Sequence, residues 1–176
     1  MEAPKPQRRA FLKAGGSAIA GTALIPIHAA HAASRAPDSQ NLATLPKQMA
    51  GKARALPLNQ ASVFHYPDAQ SPCHLLRLGH AVPGGVGPNG DIVAYSAMCT
   101  HMGCPVNYQA ASQTFKCGCH YSSFDAEHGG QQICGQATRN LPRIVLEYDA
   151  KTDAVHAIGI DGLLYGRQSN RLGGAA

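Results

Sequence analysis

Residues 99–105 read Cys99-Thr100-His101-Met102-Gly103-Cys104-Pro105, and residues 117–125 read Cys117-Gly118-Cys119-His120-Tyr121-Ser122-Ser123-Phe124-Asp125. Each stretch carries two cysteines and one histidine, and fifteen residues lie between His101 and Cys117. One such stretch alone would say little. Two of matching content point to a metal centre, because thiolate and imidazole are the ligands that borderline and soft metals select. A c-type haem needs C-x-x-C-H, and only Gly118 separates Cys117 from Cys119, so haem is excluded. Structural zinc accepts two thiolates and two imidazoles, but its usual fingers group cysteine with cysteine and histidine with histidine. Here each stretch supplies both kinds, as Cys99-x-His101 and Cys117-x-x-His120, with Cys104 and Cys119 left as a further pair.

That distribution resembles the C-x-H-x-x-C and C-x-C-H loops of the Rieske iron–sulfur proteins, in which two thiolates hold one iron and two imidazoles the other. The resemblance implies one [2Fe–2S] cluster. Cys99 and Cys117 would bind its inner iron, and His101 and His120 its outer, more exposed one. It also implies a Cys104–Cys119 disulfide that ties the two loops together. With every iron position filled there is no vacancy for substrate, so no catalytic residue is expected and the chain would carry one electron at a time. Ser122 falls where high-potential members place a serine that donates to a bridging sulfide. Phe124 falls where many have a tyrosine that donates to a ligand thiolate, and phenylalanine has no donor. The implied reduction potential lies inside the Rieske range but below its highest members. Cys73 and Cys134 remain and are expected to be buried thiols, with a second disulfide as the alternative.

Segments outside the loops extend the likeness. Gly84-Gly-Val-Gly-Pro88, Gly129-Gly130, Ile133-Cys-Gly-Gln-Ala-Thr-Arg-Asn-Leu-Pro142 and Asp161-Gly-Leu-Leu-Tyr-Gly166 are together similar to the small subunit of arsenite oxidase. That family implies a large partner subunit with a molybdenum–pterin centre, which oxidises arsenite. Electrons would then pass through this chain to a periplasmic cytochrome c or a small copper protein. A Rieske subunit of another molybdenum enzyme, such as iodate reductase, fits the same residues. A quinol-oxidising bc-type subunit would need a retained membrane anchor, and an oxygenase would need a second iron site and a longer chain.

The N-terminus reads as an address. Gln7-Arg8-Arg9-Ala10-Phe11-Leu12-Lys13 precedes a weakly apolar run from Ala14 to Ile27 that is broken by Gly15, Gly16, Gly21 and Pro26. Paired arginines before such a run resemble the twin-arginine signal, which exports folded proteins. The run is shorter than the roughly 20 apolar residues of a spanning helix. Ala30-His31-Ala32 suits cleavage, so residues 1–32 are expected to be removed, leaving a periplasmic protein with no stable membrane span.

The net charge of +5 is concentrated in this leader and in residues 33–58, because from Asn59 onward seven basic residues face eight acidic ones. Nucleic-acid binding requires a basic surface, and that class is excluded. Residues 33–58, rich in Ala, Pro and basic side chains, show no sustained period. They read as an extended arm with at most a short helix, suited to ordering on the large subunit. Residues 59–176 then break into short strand-like pieces between turn residues. These are Ala61–Tyr66, His74–Leu78, Asp91–Ser96, Thr114–Lys116, Arg143–Tyr148 and Ala154–Ile160. They predict an all-β fold: an antiparallel domain with a small cluster-binding subdomain whose loops lie near 99–105 and 117–125. Gly85-Val-Gly-Pro-Asn-Gly90 matches the dinucleotide fingerprint by letter only. Pro88 and Asn89-Gly90 lead straight into a strand where that fingerprint needs a helix, so a turn is expected.

Overall fold

The computed structural model describes residues 45–167, all within one compact unit that spans 42–176. The expected export signal at 1–32 and the first part of the expected arm lie outside the described residues. Ten strands follow in order: β1 (Gln48–Lys52), β2 (Ala61–His65), β3 (Pro72–Arg77), β4 (Ile92–Ser96), β5 (Val106–Gln109), β6 (Thr114–Cys117), β7 (Ser123–Asp125), β8 (Gln131–Cys134), β9 (Arg143–Asp149) and β10 (Ala154–Asp161). They form two sheets, one of six strands in the order β1-β10-β9-β4-β3-β2 and one of four in the order β5-β6-β7-β8. All the ladders are antiparallel. The protein is all-β. Among the described residues no helix is long and apolar enough to cross a membrane.

The four-stranded sheet is an insertion. β4 and β9 pair with each other through Ala94↔Ile144 and Tyr95↔Arg143. The chain therefore leaves the large sheet at Ser96, builds the small one and returns beside its point of departure. This insertion is the expected subdomain, and it carries both Cys/His loops.

β4 shows why the two halves hold together. All five of its residues are buried, although alternate side chains point to opposite faces. Val93 and Tyr95 pack between the sheets with Leu76, Phe115 and Phe124. Ile92 and Ala94 pack on the opposite face with Leu75, Ile144 and Val155. Burial on both faces explains a continuous apolar run in place of alternation, and each large apolar side chain so enclosed contributes about 1.5–3 kcal/mol. Side-chain contacts join the small sheet to the large one. Tyr95 Oη donates to the Ala126 carbonyl at 2.7 Å. His74 stacks on Phe115 with ring centroids 5.4 Å apart. Tyr108 Oη donates to Asn59 Oδ1 at 2.6 Å, and Asn59 Nδ2 donates to the Ala110 carbonyl at 3.0 Å.

The structure corrects two expectations. Within the stretch 33–58, Gln48–Lys52 is not a free arm. It is an edge strand paired with β10, and a 3-10 turn at Ala53–Ala55 follows it, with Ala53 and Leu56 in the core. The sheet thus begins ahead of Asn59, and a truncation there would remove part of the fold. β1 escaped notice because its burial is partial and follows no period. Cys134, expected to be buried, is exposed, whereas Cys73 is buried. Cys134 ends β8, the outer strand of the small sheet, which has little packed against it. The segment Gly85–Gly90 turns back on β4, with Val86 bridging Ile92, and leads into that strand without a helix.

Candidate metal centre

The hairpin β5–β6 sets the geometry. Val106 lies directly across from Cys117, so the loop before β5 (99–105) and the loop after β6 (118–122) emerge side by side at its open end. Each loop closes on itself. The Cys99 amide donates to the Cys104 carbonyl at 2.7 Å, and the Gly103 amide to the Cys99 carbonyl at 2.8 Å. In the second loop the Cys117 amide donates to the Ser122 carbonyl at 2.9 Å, and the Tyr121 amide to the Cys117 carbonyl at 3.1 Å. Tyr121 takes φ of 60° to close this turn, a conformation that costs a non-glycine residue energy.

Cys104 and Cys119 form a disulfide with a Cα–Cα distance of 6.6 Å, which joins the two loops across 15 residues. The sulfurs of Cys104, Cys117 and Cys119 all lie within 4.8 Å of one another. Two of those three are used in the disulfide, so the free sulfur donors here are Cys99 and Cys117. Both are 1% exposed. Burial raises the Cys99 thiol above its ordinary range. The adjacent Cys117 thiol adds to this, and hydrogen bonds from the His101 amide and the Ser122 hydroxyl oppose it. Burial therefore makes charge on the Cys99 sulfur costly without a cation beside it. His101 and His120 lie outward, half-buried and exposed. Their Nδ1 atoms are 3.2 Å apart, with the ring planes at 86°. Two imidazole nitrogens approach each other at the surface and two sulfurs lie beneath, each loop supplying one of each kind. This donor set fits a [2Fe–2S] cluster with mixed ligation. Ser122 and Phe124 are fully buried, and Phe124 belongs to the apolar cluster that includes Cys99 and Cys117.

A third segment, 135–142, clamps both loops, and its role was not apparent from the sequence pattern. The Ala137 amide donates to Ser122 Oγ at 2.9 Å, and Thr100 Oγ1 donates to the Arg139 carbonyl at 2.7 Å. Gly135 sits at φ of 94°, and a Cβ there would lie 2.3 Å from Ser122 Cα. Only glycine lets the segment approach so closely. The available signal was Cys134-Gly-Gln-Ala-Thr ahead of Pro142, and nothing in its spacing says which loop it meets.

Fold and site together define an iron–sulfur electron carrier. Residues 49–145 match the family model of the Rieske [2Fe-2S] domain, and the chain belongs to that family. It is 37% identical over 174 residues to the iodate reductase subunit IdrB of Denitromonas iodatirespirans, covering 94% of this chain and 87% of that protein. The iodate reductase subunit IdrB of Pseudomonas sp. (strain SCT) is 36% identical over 165 residues, covering 92% of this chain and 83% of that one. The soluble domain of the Rieske protein II (soxF) from Sulfolobus acidocaldarius superposes with a TM-score of 0.62 at 26% identity, covering 72% of this chain and 84% of that one. The protein carries one Rieske [2Fe–2S] cluster and acts in electron transfer.

Proposed function

We propose that Cys99 and Cys117 hold the inner iron, that His101 and His120 hold the outer one, and that the chain relays electrons for a molybdenum–pterin large subunit acting on a small inorganic oxyanion. When bound, the cluster supplies reversible uptake of one electron. The chain's own residues shape that exchange. Burial of the Cys99 and Cys117 sulfurs keeps water from the inner side, while the exposed His120 leaves the outer side within reach of a partner. Met102 and Tyr121, next in sequence to the two histidines, are 71% and 67% exposed and offer apolar contact there. The Ser122 hydroxyl and the His101 amide place positive dipoles on Cys99 sulfur, which favours the more negative, reduced state.

The single observation that carries this reading is the 37% identity spread over 94% of the chain, well beyond the cluster loops. It supports an iodate-reductase-type partner, with electrons leaving through the large subunit to the oxyanion. The segments that resemble the arsenite oxidase small subunit support the reverse flow, from arsenite through the cluster to a cytochrome c or copper protein. One experiment separates the two. The chain is recovered with its native partner through a C-terminal tag, and its visible absorption is followed. Reoxidation of the dithionite-reduced cluster by iodate, with no bleaching by arsenite, is the expected result. Bleaching by arsenite establishes the oxidase instead. Indifference to both, with a redox-active cluster, removes the oxyanion reading.

The same proposal places the protein in the periplasm, exported folded by the twin-arginine route. The Arg8-Arg9 pair and a disulfide suited to an oxidising compartment support this. Arg8→Lys combined with Arg9→Lys is expected to leave most of the chain in the cytoplasm. Unchanged recovery in the periplasmic fraction would refute the route.

A further inference from the structure

We propose that residues 162–167 form a strap that holds the first cluster loop in place, with Arg167 as its anchor and a positioning residue for the cluster. Beyond β10 the chain crosses to residues 99–105, and the two backbones touch. A Cβ on Gly103 would lie 2.3 Å from Gly166 Cα and 2.5 Å from its nitrogen. A Cβ on Gly166 would lie 2.7 Å from Met98 Cε and 3.1 Å from the Gly103 carbonyl oxygen. Both glycines have positive φ, 72° and 76°. The contact falls between His101 and Cys104, where the loop turns over.

The strap is fastened at the next residue. Arg167 Nη1 donates to Ser71 Oγ at 2.6 Å, and Nη2 donates to Asp68 Oδ2 at 2.8 Å. The Arg167 side chain is only 12% exposed, so this two-pronged pair is shielded more than a surface ion pair. Its receiving end is rigid. Asp68 Oδ1 accepts from the Gln70 amide and the Ser71 hydroxyl, and the Ser71 backbone bonds Tyr66 and Asp68. Ser71 itself is 4% exposed. The next strand, β3, starts at Pro72, whose carbonyl accepts from the Ala97 amide, two residues before Cys99. The clamp and the first loop are thus tied to the same stretch of sheet, and the strap closes the circuit over Gly103. The disulfide at Cys104 and the Thr100 bond to Arg139 hold the two ends of this loop, and the turn between them at Met102-Gly103 would otherwise open readily. The strap removes that freedom where an imidazole must stay aimed at iron.

The inference rests on the first loop being a cluster loop and not on which large subunit is served. Arg167→Ala and Arg167→Lys are made in the full chain and purified in its native complex. Hydrogen exchange of the peptide covering 98–104 is expected to rise about fivefold in Arg167→Ala, while the peptides of β4 and β9 stay as in wild type. Iron loss to a chelator is expected to rise by a similar factor, and the visible circular dichroism of the cluster is expected to change. Lys, which keeps the charge but loses the fork, should restore part of each effect. Ser71→Ala, which removes one prong, gives a milder version should Arg167→Ala fail to fold. Unaltered exchange over 98–104 in a folded variant overturns the strap. Raised exchange with unaltered dichroism and iron retention overturns its role at the cluster.

Discussion

Replacing Cys104 and Cys119 together by serine is expected to empty most chains of their cluster and to lower stability by about 3 kcal/mol. The bond closes 15 residues, a length for which the chain-entropy model gives that figure, and it joins two exposed turns that share no other covalent tie. For a domain of this size the loss corresponds to roughly 10 °C in Tm. Cluster loss follows from geometry more than from global stability. Each loop makes two closing backbone bonds of its own, and these fix its internal shape but not its distance from the other. The proposed ligands must converge from both loops within bonding range of two irons, so a modest separation costs all four at once. The single variants should be worse than the double. Cys104→Ser frees a Cys119 thiol within 4.8 Å of Cys117 sulfur, where it can pair wrongly with the proposed ligand. The checks are iron and acid-labile sulfide per chain and thermal unfolding for all three variants. A double variant with a full iron complement would show that the third segment alone holds the loops together.

Why the loops were legible and their supports were not is a question of range. Cys99, His101, Cys117 and His120 stand in two short windows, and metal ligation imposes residue type as well as spacing, so the donor set can be read locally. The contacts that hold those windows are remote. Thr100 meets Arg139 across 39 residues, Ser122 meets Ala137 across 15, and the strap at Gly166 meets Gly103 much farther along the chain. Each uses a backbone group or a bare glycine, which leaves no mark in composition. The strands divide in the same way. β2, β3, β4, β6, β9 and β10 were legible because one or both of their faces are apolar. β8, Gln131-Gln-Ile-Cys134, is nearly all exposed and exists because β7 offers it a ladder of hydrogen bonds. β5 and β7 have four and three residues, too few for a period to declare itself. The exposed Cys134 has the same cause. Its burial depends on which strand ends at the sheet edge, and topology decides that.

Ser122→Ala is expected to lower the reduction potential by about 50–100 mV, since a hydrogen bond worth about 1.4 kcal/mol more in one oxidation state shifts a one-electron couple by about 59 mV. The sign follows from charge. Ser122 lies beside Cys99 and its hydroxyl favours charge on that sulfur, reduction adds negative charge to the cluster that this sulfur is proposed to ligate, and a donor stabilises the more negative state. Removing it makes reduction harder. The same oxygen also accepts the Ala137 amide at 2.9 Å, and that amide becomes unpartnered in a fully buried position, so part of the stability should be lost as well. Ser122→Cys or Ser122→Thr keeps a group that can both donate and accept, and either should fall between wild type and alanine. Phe124→Tyr tests the complementary side. Phe124 is packed with Cys99 and Cys117 in one apolar cluster and is fully buried, so a phenolic hydroxyl there has sulfur within its surroundings and little water to satisfy it. The expected result is a rise in potential, opposite in sign to Ser122→Ala. Protein-film voltammetry of both variants measures the two shifts directly. A Phe124→Tyr potential equal to or below wild type would mean that the hydroxyl does not reach a ligand sulfur, and that donation from Ser122 and the backbone alone sets the value.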